Sequence, residues 1–337
     1  MEARTARKRP TIRDVAAAAG VSRGTVSRVI NGGHWVSPEA LTAVQEAIRT
    51  TGYSMNQHAR SLATGRSNSI AFLLTEPQHL LFEDPTFSIL LRGAAEALGQ
   101  REMPLLLMVA GTTEERRRIT DYITAGHVDG VLLISSHRDN PMVKSLLRAE
   151  IPVIACGVPI GYEDSVGYVS ADDVGGARKM TQHLLDSGRT KIATVTGPLD
   201  TPGGTMRLAG YKEALGDRFD ESLVRHGDYS REGGRAAMAE LLEARPDLDA
   251  VFVASDLMAA GAMTAVKDSG RSIPGDVAVG GFDDSGLAAT LDPPLTTMRQ
   301  PFERISSEMV RLLLEVVEGQ EPAAVTLPAT LVRRESA

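Results

Sequence analysis

Residues 12 to 31 hold two short amphipathic stretches separated by a glycine, and no other feature constrains the chain as strongly. Ile12, Val15 and Ala16 place an apolar stripe on the first stretch. Gly20 permits a tight turn, and Val26, Val29 and Ile30 give the second a matching stripe. This is the spacing of a helix-turn-helix, whose second helix enters the major groove of duplex DNA. Arg23, Ser27 and Arg28 then face outward. Any small helical hairpin also has one polar face, so residues beyond the second helix must decide between the two readings.

Those residues build a third helix. Asn31-Gly32-Gly33 is a stop, Ser37 caps a helix that begins at Pro38, and Leu41, Val44 and Ile48 point inward until Gly52-Tyr53 ends it near Thr50. Asn56 to Leu62 forms a short segment, too short to be a stable helix alone, before the polar linker Thr64 to Ser69. The ordered set Asp14-Val15-Ala16, Ala19-Gly20-Val21-Ser22, Thr25 to Asn31, Val36-Ser37, Gly52-Tyr53, Ala59-Arg60-Ser61-Leu62 and Thr64-Gly65-Arg66 resembles the LacI/GalR family of bacterial transcription regulators. The resemblance implies DNA contacts from Thr11, Ser22, Arg23, Gly24, Thr25, Ser27, Arg28 and Asn31. It also implies a hinge helix that folds on DNA through Asn56, Ala59 and Arg60, with Leu62 as a minor-groove wedge. Relatives usually carry proline where this chain has Met55.

Charge divides the chain in the same place. The stretch through Arg66 has a net charge of +6 and the remainder −13, so overall acidity does not argue against DNA. Residues 1–10, with Arg4, Arg7, Lys8 and Arg9, read as a disordered basic arm near phosphates or an inert tail. They lack the apolar core of an export signal, which places the protein in the cytoplasm at the nucleoid with no membrane partner. Cys156 is alone, the histidines lack metal spacing, and neither a Walker A loop nor a nucleophile elbow is present. No catalytic residue, metal or cofactor is expected.

From Ser69 onward apolar runs alternate with helical stretches, the pattern of an α/β fold built on doubly wound parallel sheets. Strands are expected at 70–74, 105–109, 131–134 and 153–155, then at 192–195, 250–254 and 277–281, with a strand-like tail at 327–333. The family resemblance extends here to a two-lobed periplasmic-binding-protein-like effector domain. Residues 11–54 would be the all-α head, 55–68 the hinge and linker, and 69–337 the effector and dimerisation domain. Its first lobe would hold residues 69–170 plus 285–325 and its second 171–284 plus 326–337, the chain crossing between them near 170, 284 and 325.

Ligands of doubly wound sheets sit beyond the carboxyl ends of the strands, and those ends here are polar. Asp173, Arg207, Ser255, Asp256 and Asp283 are the expected effector residues, with Phe87 as the aromatic of the first lobe and Phe82 as second choice. Carboxylates and an arginine read vicinal hydroxyls while a ring covers the C–H face of a pyranose. Taken singly, Asp173 and Asp256 read equally well as helix caps, while a surface charge at Arg207 and a core ring at Phe87 are the weaker readings; taken together the residues favour a pocket. The resemblance implies a homodimeric repressor released from a palindromic operator by a small sugar. Ala125 to Gly130, Thr196 to Asp200 and the Gly-Thr after Arg23 resemble actinobacterial regulators of cellulose and disaccharide use, so the expected sugar is an oligosaccharide such as cellobiose. The alternatives are a corepressor-activated regulator binding a purine-like ligand and, in another class, a cytoplasmic sugar-binding or sugar-processing protein.

Overall fold

The computed structural model describes residues 10–30, 35–53 and 66–337. It divides into two units, Met1–Ser67 and Asn68–Ala337. In the first, helices Ile12–Ala19, Arg23–Ile30 and Pro38–Thr51 pack around Val15, Ala16, Val26, Val44 and Ala47. Gly20 adopts φ +66°, the left-handed conformation that lets the first helix turn into the second within three residues. Ser37 accepts the Ala40 N–H at 3.3 Å, capping the third helix ahead of Pro38. Leu41, expected inward, is 40% exposed; the helix turns Val44 and Ala47 to the core instead, with Ile48 beside them. Trp35 stands 88% exposed on this unit.

The second unit contains two six-stranded sheets. One has the order β11-β5-β4-β3-β1-β2, and all its pairings are parallel: β1 Ile70–Leu74, β2 Leu105–Val109, β3 Gly130–Ile134, β4 Val153–Cys156, β5 Gly167–Ala171 and β11 Ala324–Leu327. The other has the order β12-β10-β9-β8-β6-β7, parallel except for β12: β6 Ile192–Thr196, β7 Val224–His226, β8 Ala250–Val253, β9 Ala278–Asp283, β10 Thr296–Arg299 and β12 Thr330–Val332. Alternation within a strand explains why β1 and β3 are apolar throughout. Ile70, Phe72 and Leu74 pack with the Pro85–Gly99 and Phe302–Val317 helices, while Ala71 and Leu73 pack on the opposite face with the Pro141–Arg148 helix.

The chain passes between sheets at Asp172, at Gln300-Pro301 and at Pro328-Ala329. The second crossing was expected near 284, which would have put residues 285–299 in the first lobe. They belong to the second, because after β9 the chain loops out and returns as β10, paired from Thr296↔Gly280 to Arg299↔Asp283. The expected single strand over 327–333 is two: the break at Pro328-Ala329 leaves β11 in one sheet and β12 in the other.

Candidate effector site

Both sheets present the carboxyl ends of their strands to one cavity of about 900 Å³, mouth included. Glu76 follows β1, Ser135 and Ser136 follow β3, and Gly157 follows β4. From the other sheet, Thr201 to Gly203 follow β6, Tyr229 follows β7, Ser255 follows β8, Asp283 ends β9 and Gln300 follows β10. The position is the one that parallel-sheet topology dictates for a ligand. The two lobes furnish it differently. Lobe one adds an apolar wall of Leu80, Phe87, Leu90, Phe302 and Ile305, whereas lobe two supplies a charged floor.

Arg207 organises that floor. The Pro202–Leu215 helix carries it inward, 7% exposed, where Nε donates to Asp173 Oδ1 at 2.7 Å and Nη1 to Asp283 Oδ1 at 3.3 Å and to the Ala254 carbonyl. Its guanidinium carbon lies 3.9 Å from the centre of the Phe282 ring. Burial opposes the charge, yet the carboxylates of Asp173 and Asp283 offset it and raise the pKa of Arg207. Burial also pushes Asp283 up to about 7, against the pull of Arg207, with Asp84 adding to the rise and the 2.7 Å bond from Gln300 Nε2 lowering it. Asp84 itself is raised by burial, and the Cys156 thiol on the cavity wall is pushed up to about 12 by the same cause. With Glu76, Asp84, Asp173 and Asp283 around one arginine, the cavity has an acidic surplus that disfavours anions and leaves acceptors for hydroxyl donors.

Backbone strain collects here. Asp283, Asp284, Tyr229 and Ser135 hold φ of +123°, +52°, +66° and +57°, conformations that cost about 1–3 kcal/mol each and persist where surroundings over-determine them. Gly197 gives the Tyr229 ring its room, since a Cβ there would lie 2.1 Å from Tyr229 Cζ. The Tyr229 hydroxyl is 3.3 Å from Thr201 Oγ1, and burial pushes its pKa up to about 12.

The structure brings together Phe87, Asp173, Arg207, Ser255 and Asp283 as lining residues. Asp256 it does not: at 1% exposure its Oδ1 accepts from Thr297 Oγ1 at 2.6 Å and its Oδ2 from Asp284 N at 2.7 Å, so it braces β9 and β10 beneath the cavity. Burial raises its pKa well above the usual carboxylate range, with Asp283 adding to the rise. Neither aspartate caps its helix. Asp172 accepts the Gly175 N–H at 2.8 Å and Ser255 accepts the Met258 N–H at 3.2 Å. Phe82 is 78% exposed and does not line the cavity. Tyr229 and Gln300 were missed. The signal available was a polar residue after every carboxyl strand end, and it fails where β7 and β10 are themselves too short to recognise.

In the head, Arg23, Gly24 and Arg28 are exposed on the second helix. Ser22 receives the Thr25 N–H at 3.1 Å and lies 2.9 Å from Thr25 Oγ1, starting that helix. Thr11 is tied to Asp14, donating from N at 2.7 Å and from Oγ1 at 2.8 Å. Asn31, Asn56, Ala59, Arg60 and Leu62, with the arm 1–9, lie outside the described residues. Among the described residues no group of His, Cys, Asp and Glu could hold a metal ion, and no helix is long and apolar enough to cross a membrane.

Comparison with known proteins covers both units. Residues 11–56 match the family described as bacterial regulatory proteins, lacI family, and residues 181–337 match the periplasmic binding protein-like domain. The HTH-type transcriptional regulator CelR of Thermobifida fusca is 45% identical over 336 residues, 98% of this chain and 99% of that one. Among solved structures, a transcriptional regulator CelR-cellobiose complex aligns with TM-score 0.79 at 43% identity, over 98% of this chain and all of the other. A lac repressor dimer bound to operator and the anti-inducer ONPF aligns with TM-score 0.85 at 27% identity, over 98% and 99% of the two chains.

Proposed function

This chain belongs to the lacI family of bacterial regulatory proteins, and on that premise we propose that it is released from its operator by cellobiose or a close β-glucoside. Its class is a DNA-binding transcriptional repressor of sugar-utilisation genes, not an enzyme. The observation that carries the ligand reading is the Arg207 guanidinium fixed between Asp173 and Asp283 opposite the Phe87 wall. Hydroxyls of a neutral sugar bond to the fixed charges, its C–H face lies on the ring, and the acidic surplus disfavours phosphorylated sugars. Ser255, Tyr229 and Gln300 complete the polar side.

In this reading the protein works as a homodimer on a palindromic operator. Arg23 and Arg28 read guanines in the major groove, Gly24 permits close approach, and Thr11, Ser22, Thr25 and Ser27 hold phosphates. Asn31 adds a phosphate contact, and Asn56, Ala59, Arg60 and Leu62 serve the hinge and its minor-groove wedge. Sugar closes the lobes of the effector unit and lowers operator affinity through a coupling of about 1–3 kcal/mol, which linkage requires to act equally in both directions. The test is operator affinity at one fixed salt concentration with cellobiose, glucose, a phosphorylated disaccharide and purines. Release by cellobiose alone supports the reading; tighter DNA binding with a purine would replace it by corepression.

A further inference from the structure

One side chain joins the two lobes across the mouth of the cleft. His137 lies in the loop after β3, in the first lobe, with Nε2 3.0 Å from Glu76 Oε1 and Nδ1 2.8 Å from Asp200 Oδ2. Asp200 lies in the loop after β6, in the second lobe. A neutral imidazole has only one N–H, so two carboxylate partners are both satisfied only by the imidazolium. The same loops are joined again by the Arg138 N–H, which donates to the Asp200 carbonyl at 2.7 Å. Glu76 also accepts from the Ser135 hydroxyl, and Glu76, Ser135 and Thr201 line the cavity. The bridge therefore shares its groups with the wall against which a ligand would lie.

We propose that Glu76, His137 and Asp200 form a cross-cleft latch, in which the His137 imidazolium sets the balance between open and closed lobes and so tunes the response to sugar. The inference rests on the reading that sugar closes the lobes. Glu76 and His137 belong to one lobe and stay together when the cleft opens, whereas Asp200 leaves. Closure thus adds one charge-assisted bond and a second carboxylate to a cation already half formed. With the bridge formed, as in this structure, the imidazole pKa is raised to about 9, chiefly by the hydrogen bond to Glu76 and then by that to Asp200, with burial opposing. The ionisable groups facing the ring are Glu76 and Asp200; Arg138 and Asp139 flank it in its own loop. A group whose pKa rises on closure favours the closed state at low pH and withdraws that support as pH rises through about 9. Asp283, raised to about 7, titrates below that, and His137→Gln isolates the imidazole's share of any decline at higher pH.

His137 and Asp200 are 27% and 53% exposed at the side chain, so solvent screens the pair and the effect on affinity is moderate. The experiment is imidazole NMR titration of the full-length protein, with cellobiose calorimetry from pH 7 to 10, on the parent, Asp200→Asn and His137→Gln. We expect His137 to be protonated at pH 7.5 in the parent and its pKa to fall in Asp200→Asn. Both variants should bind cellobiose about threefold to tenfold more weakly at pH 7 and lose the parental decline in affinity between pH 8 and 10. A neutral His137 at pH 7.5 in the parent, or a titration and sugar affinity that Asp200→Asn leaves unchanged, would overturn the latch. Should the parent not bind cellobiose while Asp200→Asn still lowers the His137 pKa, the ligand assignment fails and the latch stands. Parental circular dichroism and a single cooperative melting transition in both variants would separate the effect from misfolding, since loss of the imidazolium by itself lowers the midpoint.

Discussion

Arg207 Nε and Asp173 Oδ1 are 2.7 Å apart with both side chains almost wholly buried, so the charge that would hold a ligand is also a charge the fold must satisfy. Removing one partner of such a pair leaves the other desolvated and costs about 3–5 kcal/mol. Arg207→Ala should therefore lower the urea midpoint sharply as well as abolish the sugar response. Reading both quantities on one sample checks this. A variant that keeps parental stability would show that Asp173 and Asp283 are hydrated in solution.

Asp283→Asn is the milder probe of the same floor. The amide is close in size and keeps an oxygen for Gln300, but it loses the charge facing Arg207. We expect sugar affinity to fall by about 1.5–3 kcal/mol, the worth of a charge-assisted hydrogen bond. Calorimetry against the parent at pH 8 measures it.

The raised pKa of Asp283 also predicts a slope in stability. An acid whose folded-state pKa is raised from 3.8 to about 7 keeps its proton in the native state after the unfolded chain has released it, so this group's contribution to stability falls as pH rises from 4 to 7. His137 acts at higher pH: its contribution is complete below about 6.5 and is lost as pH rises through about 9. Urea unfolding between pH 4.5 and 9.5 should show a shallower lower slope in Asp283→Asn than in the parent, Asp84 and Asp256 being raised by burial as well, and the upper slope in the parent and not in His137→Gln.

Asp256 should behave unlike its neighbours. Asp256→Ala strands the buried Thr297 hydroxyl and Asp284 N–H, a loss of about 1–3 kcal/mol in stability. Sugar affinity of the folded protein should stay within about threefold of the parent, because the side chain does not line the cavity. A selective loss of sugar binding at parental stability would return Asp256 to the site.

Gly24 separates folding from recognition in the head. A Cβ there would meet nothing closer than Ser22 Oγ at 3.6 Å, so Gly24→Ala should stabilise the second helix by about 0.5–1 kcal/mol. If the glycine exists to let the backbone approach DNA, the same variant binds operator more weakly. Arg28→Ala should cost roughly 1–3 kcal/mol and relax preference at one base pair. Melting curves and a set of singly substituted operators distinguish the two effects.

The legible parts of this fold were those where burial writes itself as composition. Strands such as Ile70–Leu74 are buried on both faces and read as unbroken apolar runs, and helices such as Arg231–Ala244 carry one apolar stripe between polar residues. Thr296–Arg299 was illegible because a four-residue strand with three polar side chains looks like a loop, although Thr296 and Thr297 are wholly buried. Missing it moved the lobe crossing and hid Gln300. The Asp256 error has a different cause. Ser255 is the extended cap of its helix and Asp256 the first helical residue, so the two side chains leave the backbone in different directions and only Ser255 faces the cavity, which adjacency to a strand end does not reveal.

Trp35 is the sole tryptophan of the chain, and it is 88% exposed on the helical head, in a chain whose effector unit holds only Tyr and Phe as aromatics. Light absorbed selectively by indole is therefore emitted from the head alone. Its wavelength and polarisation report what happens to that unit, without a dye or a label and without background from the sugar-binding lobes. Whatever sugar does to the head is open to direct optical observation in the unmodified protein.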